Sequence, residues 1–291
     1  MKASRGKENW PAELVKLPHF YRNGQKGCSE MPRFAVILPA AGQSTRFGKT
    51  HEKKIFQELD GRPIWLRALE PFLNRDDVGQ IIIAIAAEDR EKFLSRYCAN
   101  IAFLGLTVID GGRERFETVA KAVSIADPSC DFIAVHDAAR PCLAREWVDS
   151  VFQAASITGA ALLAVPVVDT LKHVDPVTNQ VQGTVPRAGL YQAQTPQVFR
   201  RDWLVEAHAQ RLAEGWDVTD DVQLLEKIGK PCVVVPGSSL NLKVTTPDDL
   251  ALARAALAAL PQPARKISGN PFAAEEAMWI GDFPEPPRGR V

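Results

Sequence analysis

No apolar run in this chain approaches the roughly 20 residues needed to cross a bilayer. The polar start of the chain also lacks the hydrophobic segment of a secretory signal, so no membrane association and a cytoplasmic location are expected. Net charge is missing too: 35 Lys and Arg balance 35 Asp and Glu. No global field therefore points to nucleic acid or to an anionic surface, and neither is expected as a partner. Cysteine is sparse. The five residues Cys28, Cys98, Cys130, Cys142 and Cys232 are odd in number, and none forms a CxxC or Cys/His pair at metal-ligand spacing. That argues against a disulfide framework or a zinc module. Cys98, Cys130 and Cys232 read as small buried hydrophobes in a reducing compartment. The chain has no Gly-Lys-Ser/Thr P-loop and no complete GxGxxG fingerprint, which disfavours a P-loop or a dinucleotide cofactor site. No internal repeat is visible.

What is present is an alternation. Apolar runs at Phe34–Leu38, Ile81–Ala86, Leu106–Ile109, Phe132–Val135, Ala161–Val165 and Cys232–Val235 read as strands. Between them, Ile64–Leu73, Glu88–Tyr97, Glu114–Ile125, Glu146–Ser156, Trp203–Leu212 and Val222–Ile228 read as amphipathic helices, and Asp248–Leu260 as a closing one. Alternation of this kind predicts an α/β, Rossmann-like fold: a mostly parallel sheet with helices on both faces. Residues 169–186 interrupt the pattern with two short β-like stretches around a Pro176/Asn179 turn, predicting an inserted β-hairpin that could serve as a dimerisation arm. Residues 32–260 are thus expected to form a single domain. A polar extension (1–31) precedes it. A tail (261–291) follows, whose prolines are too dense for a helix or central strand.

Ligand-facing motifs in such a fold belong at the carboxyl ends of the parallel strands. The first strand runs into Pro39-Ala40-Ala41-Gly42, small residues that let backbone N–H groups approach phosphate oxygens. Arg46 and the pair Lys53-Lys54 follow, cations suited to charge developing on a phosphoryl group. Asp110-Gly111-Gly112 leads to Thr118; two glycines would admit a flat base, and the hydroxyl could meet its edge. His136-Asp137-Ala138-Ala139-Arg140 places an acid at a strand end, where it could hold Mg²⁺ or bond a ribose hydroxyl. Asp137 as a helix cap and His136 as a satisfied core residue is the competing reading. Asp169-Thr170, Arg187, Thr195-Pro196-Gln197, Thr219-Asp220-Asp221 and Asn241-Leu242-Lys243 complete the set. If Asn241–Thr245 is a strand, Lys243 faces away from Leu242 and Val244 and can look into a cleft.

Taken in order, these motifs resemble the 2-C-methyl-D-erythritol 4-phosphate cytidylyltransferases, CTP-using nucleotidyltransferases with a GT-A-like fold that serve the non-mevalonate isoprenoid pathway. The resemblance spans nearly the whole predicted domain. It implies transfer of CMP from CTP to the polyol phosphate, a divalent cation such as Mg²⁺ held through Asp137, and a homodimer. Pro39, Ala40, Ala41 and Gly42 would wrap the CTP phosphates and ribose; Gly111, Gly112 and Thr118 would recognise cytosine; Asp137 and Ala138 would contact ribose, metal or substrate. Arg46 and one lysine would stabilise the transition state. The spacing to Gly61-Arg62-Pro63 selects Lys54, whereas counting from Arg46 selects Lys53; Lys54 is preferred. Thr170, Arg187 and Lys243 would grip the acceptor, with Arg140 and Thr219 as further substrate contacts, and Thr170 and Arg187 reaching across the dimer. Ser44 stands where that family usually has glycine, and Arg113 where a polar or acidic residue is common. A cytidylyltransferase for another polyol phosphate, such as ribitol 5-phosphate, would share the same CTP motifs. A sugar nucleotidyltransferase would share the opening loop, and a non-catalytic nucleotide-binding module is the alternative of another class.

Overall fold

The computed structural model describes residues 31–42, 47 and 53–261. Arg46, Ser44 and most of the two terminal segments lie outside the described residues.

A seven-stranded sheet organises the chain. Its strands are β1 (Phe34–Ala40), β4 (Val78–Ile85), β5 (Thr107–Asp110), β6 (Phe132–Val135), β7 (Ala160–Pro166), β10 (Tyr191–Arg200) and β11 (Val233–Pro236), in the spatial order β11-β7-β10-β6-β1-β4-β5. All neighbours run parallel except β10, which is antiparallel to both β6 and β7. Two short ribbons stand apart: β2 (Glu58–Leu59) with β3 (Arg62–Pro63), and β8 (Leu171–Val174) with β9 (Val181–Val185). The helices are α1 (Ile64–Leu69), α2 (Arg90–Phe103), α3 (Arg115–Ser124), α4 (Arg145–Thr158), α5 (Arg201–Glu214), α6 (Val222–Lys227) and α7 (Asp249–Ala259).

The continuous apolar runs exist because the central strands are covered on both faces. Along β1, Phe34, Val36 and Leu38 enter a core with Trp65 and Leu69 of α1, Phe93 of α2 and Phe152 of α4. Ala35 and Ile37, pointing the other way, meet Val119 and Val123 of α3, Leu204 of α5 and Leu225 of α6. A third cluster joins Phe47, Leu59, Ile64, Cys142 and Val244 to Ala253 and Ala256 of α7.

Several local expectations are corrected. β10 has no continuous apolar run to announce it, because Gln194, Thr195 and Gln197 interrupt it; yet those polar side chains are 6%, 4% and 2% exposed. Each has hydrogen-bond partners inside, so the strand is buried although it does not look it. The helix expected over Ile64–Leu73 stops at Leu69, and Pro71 sits in a 3-10 turn over Glu70–Phe72. Lys54–Phe56 is a 3-10 turn. The Asn241–Thr245 segment joins no sheet, although Lys243 is exposed and Val244 buried as alternation would have it. Cys98 is exposed, because Phe93 and Tyr97 take the core-facing positions of α2; Cys232 is only half-buried.

The β8–β9 ribbon forms within 169–186 as expected. Its turn is closed by Asp175, whose Oδ1 accepts from the Val177 and Thr178 N–H groups, and by Asn179 at φ 55°. Val168, Val177 and Val181, on and beside the ribbon, are exposed by 71%, 88% and 62%.

Candidate active site

The ends of β1, β5 and β6 open into one cleft. It is lined by Pro39 and Ala40 at the end of β1 and Ala41 and Gly42 after it, by Gly112 to Arg115 and Thr118 after β5, and by Asp137, Ala138 and Ala139 after β6; Lys54, Ile55 and Lys243 complete it. Most of the motif residues on the expected list therefore share one cavity at the carboxyl ends of parallel strands, where α/β sheets hold ligands.

The loop after β5 differs from expectation in its detail. A side-chain carbon on Gly111 would fall 2.3 Å from Ala41 Cβ, and one on Gly112 would fall 2.4 Å from Glu117 Cβ. The space beside Gly111 thus lets the β1 loop pack against the β5 loop, rather than admitting a base at that point. Gly111 itself pairs with β4 through an N–H donated to Ile85 O at 2.7 Å. Thr118 is also partly committed. Its hydroxyl accepts from Gly112 N–H at 2.9 Å and donates to Glu114 O at 3.0 Å, so towards a ligand it has acceptor capacity only. Reciprocal Glu114 and Glu117 capping bonds start α3.

Asp137 is the electrostatic centre. Its Oδ2 lies 2.6 Å from Lys243 Nζ and its Oδ1 3.3 Å from Arg115 Nε. Burial would raise this carboxyl, but the charges of Arg115, Lys243 and Arg140 outweigh it and hold Asp137 well below the ordinary carboxylate range. Arg115 also reaches back to Asp221, with its NH1 2.8 Å from Oδ2. Asp221 is 1% exposed, and burial, opposed by Arg115, holds its carboxyl above the usual range. Arg115, between Gly112 and Thr118, and Asp221, the last residue of the Thr219–Asp221 motif, carry no assigned role in the motif reading. The available signal was a cation in the first helical turn, against the helix dipole.

A hydrogen-bond chain fixes the backbone of Asp137. Its N–H donates to Thr195 Oγ1 at 3.0 Å, Thr195 Oγ1 lies 3.0 Å from His136 Nδ1, and His136 Nε2 lies 3.1 Å from Arg140 O. Burial pushes His136 down to about 4, so the ring is neutral, and in the neutral ring only one arrangement satisfies all three contacts: Thr195 donates to Nδ1, and the proton sits on Nε2. His136 is thus a satisfied core residue. Asn241 Nδ2 donates to Thr195 O at 2.9 Å, and Val244 N–H to Ala139 O at 2.8 Å, tying the Lys243 segment to the same floor.

The two lysines separate. Lys54 lines the cleft and donates to Val244 O at 2.9 Å. Lys53 is turned to Glu88 and Asp89, at 3.1 and 2.7 Å. Arg140 does not line the cleft; its NH1 donates to Asn241 O at 2.7 Å, bracing the floor. Thr219 is likewise outside, its N–H donated to Gln223 Oε1 at 2.8 Å near the start of α6. Thr170 and Arg187 lie beside the β8–β9 ribbon and are not among the cleft-lining residues of this chain; Arg187 NH1 donates to Val168 O. Arg46 falls outside the described residues.

Asp137, an ionised carboxylate facing the cleft, is the hard oxygen donor that would hold Mg²⁺ there. Among the described residues, no three His, Cys, Asp or Glu side chains come together to hold an ion by themselves. None of the described helices is long and apolar enough to cross a membrane.

Comparison with known proteins agrees with the geometry. The family model described as IspD, 2-C-methyl-D-erythritol 4-phosphate cytidylyltransferase, matches residues 34–259. The enzyme of that name from Solibacter usitatus is 42% identical over 229 residues, covering 76% of this chain and 94% of the relative. The one from Rhodopirellula baltica is 39% identical, covering 77% and 94%. Among solved structures, the Thermus thermophilus enzyme superposes with a TM-score of 0.64 at 32% identity, over 77% of this chain and 98% of that one. The Francisella tularensis enzyme gives 0.66 at 30%, over 77% and 100%. A chain matched along almost all of its ordered sheet by both sequence and architecture belongs to the 2-C-methyl-D-erythritol 4-phosphate cytidylyltransferase (IspD) family.

Proposed function

We propose that this enzyme transfers CMP from CTP to 2-C-methyl-D-erythritol 4-phosphate, releasing pyrophosphate and forming 4-diphosphocytidyl-2-C-methyl-D-erythritol. The observation that carries the reading is the single cleft in which the small-residue loop after β1, Lys54, and the Asp137–Lys243 pair face one another. An oxygen of the acceptor phosphate attacks the α-phosphorus of CTP; the bond from that phosphorus to the β-phosphate bridging oxygen breaks, and pyrophosphate leaves with the electron pair. The nucleophile is already anionic, so the work is alignment and charge neutralisation rather than proton removal.

Each residue then has a task. Backbone groups of Ala40, Ala41 and Gly42 follow the triphosphate, and Lys54 with Arg46 offsets the charge that builds on it. Gly112 and Thr118 offer polar groups to the base. Lys243 holds the acceptor phosphate once it exchanges its bond to Asp137 for the ligand. A bound Mg²⁺, held by Asp137, would neutralise phosphate charge. Thr170 and Arg187 act on the cleft of a second copy, in a homodimer built on the β8–β9 arm. Exposed Val168, Val177 and Val181 support that reading, since apolar side chains at a projecting ribbon suit burial against a partner. A cytoplasmic location is in keeping with the free thiols of Cys98, Cys130, Cys142 and Cys232.

The test is pyrophosphate release from CTP with methylerythritol phosphate, ribitol 5-phosphate and no acceptor in parallel, with and without Mg²⁺. Release with the first alone is expected; preference for ribitol phosphate would overturn the acceptor assignment.

A further inference from the structure

Two residues beside the cleft break local rules, and they break them together. Arg115 occupies the first position of α3, where a cation opposes the helix dipole, while Glu114 and Glu117 do the capping. Asp221 stands at the N-cap of α6, where aspartate normally bonds the first turn, yet its side chain makes no cap bond. Its neighbour Asp220 serves instead, accepting from Gln223 N–H at 3.0 Å. The freed Asp221 carboxylate is 1% exposed and meets Arg115 NH1 at 2.8 Å. Arg115 in turn meets Asp137 Oδ1 through Nε at 3.3 Å, leaving Oδ2 to Lys243. The result is an alternating row, Asp221–Arg115–Asp137–Lys243, running from the protein interior to the cleft. Burying a carboxylate is costly even when it is paired, as Asp221 is with Arg115, and locally unfavourable choices that coincide mark functional positions.

We infer that Arg115 and Asp221 are positioning residues for CMP transfer: Asp221 anchors the guanidinium, and the guanidinium fixes the cleft-facing orientation of the Asp137 carboxylate. This rests on the proposed function, because it assigns a task to Asp137 in that reaction. A guanidinium fits the role where an ammonium does not. Its nitrogens point in fixed, divergent directions and engage two carboxylates at once, whereas a lysine is a single point charge on a flexible stem. Freed from this brace, Asp137 keeps its bond to Lys243 but loses a defined orientation.

The test uses the full chain with four variants: Asp221→Asn, Arg115→Lys, Arg115→Gln, and the double variant Asp221→Asn/Arg115→Gln. Each is checked for folding by circular dichroism, for pyrophosphate release with CTP, Mg²⁺ and methylerythritol phosphate, and for CTP binding by calorimetry with and without Mg²⁺. Turnover is expected to fall about 10- to 100-fold in each, as for other residues that orient a ligating group. The KM for CTP should stay within about two-fold, a split that general loosening of the fold would not give. The double variant should lose no more than the worse single one, because both residues act through one contact. At saturating Mg²⁺ CTP binding should stay within the same two-fold; the Mg²⁺ concentration that gives half-maximal turnover should rise, and CTP binding in the absence of Mg²⁺ should not change. If Asp221→Asn does not fold, the double variant, which removes one buried charge of each sign, still reads the outcome. Parental turnover in Arg115→Lys or in the double variant, or losses that simply add, overturn the inference while leaving the reaction intact. A parent chain that neither binds CTP nor releases pyrophosphate removes the proposed function, and this inference with it.

Discussion

Lys53 and Lys54 are adjacent, identical in type and equally basic, so replacing each with alanine isolates geometry. Lys53 Nζ lies 2.7 Å from Asp89 Oδ2 and 3.1 Å from Glu88 Oε1, and no part of it lines the cleft. With 31% of its side chain exposed, its pair with Asp89 contributes about 1 kcal/mol of stability or less. Lys53→Ala should therefore lower the melting temperature slightly and leave turnover within about three-fold of the parent. Lys54 Nζ sits on the cleft wall, steered by its bond to Val244 O at 2.9 Å. A positioned cation or donor aimed at charge that develops in the transition state is worth about 10²- to 10³-fold in turnover, or about 3–4 kcal/mol. Lys54→Ala should show that loss in initial rates of pyrophosphate release at saturating CTP and acceptor, with the fold intact by circular dichroism. The reasoning fails if Lys53→Ala loses more turnover than Lys54→Ala. It fails equally if the two variants lose the same amount, because the salt bridge that parks Lys53 would then not govern where its charge acts.

Gly111→Ala should raise the KM for CTP far more than it lowers stability. The new carbon would press on Ala41 Cβ from 2.3 Å and push the phosphate loop, an overpacking cost of about 1–3 kcal/mol; an unchanged KM would show that the loops do not need this contact. Acid should weaken the fold through buried histidines. Burial holds His136 and His208 down to about 4. Since the unfolded chain takes up these protons near pH 6.5, their contribution is complete above that pH and is lost as pH falls towards 4, each costing about 2 kcal/mol by pH 5. Urea midpoints from pH 8 to 4.5 measure it, and His208→Leu, which removes two ring nitrogens that lack partners, should flatten part of the slope; an identical slope in that variant would refute its share. Finally, mixing inactive Lys54→Ala with inactive Arg187→Ala should restore activity if each arm serves the other copy's cleft, because some mixed dimers would carry one intact site. No recovery after subunit exchange would put Arg187 to work within its own chain.

What could be read from sequence followed from how far each constraint reaches along the chain. A strand covered on both faces must be apolar throughout, so Phe34–Leu38 and Phe132–Val135 declare themselves, and the loops after them mark the ligand end of the sheet. β10 escapes the same logic because its burial is met by hydrogen bonds rather than by apolar side chains. Gln194, Thr195 and Gln197 look like surface residues until Asn241, Asp137 and Asp220 are brought to them from distant parts of the chain. The choice between Lys53 and Lys54 has the same character: their neighbours are nearly shared, and the difference lies in what Glu88, Asp89 and Val244 offer across space. Arg115 and Asp221 go one step further. Judged locally, a cation at a helix start and a non-capping aspartate at another are poor choices. They become intelligible only once each supplies what the other lacks, and only because Asp137 lies at the end of the row. The Arg115 misfit is legible in the sequence; that Asp221 does not cap its helix, and the reason for both, requires the fold.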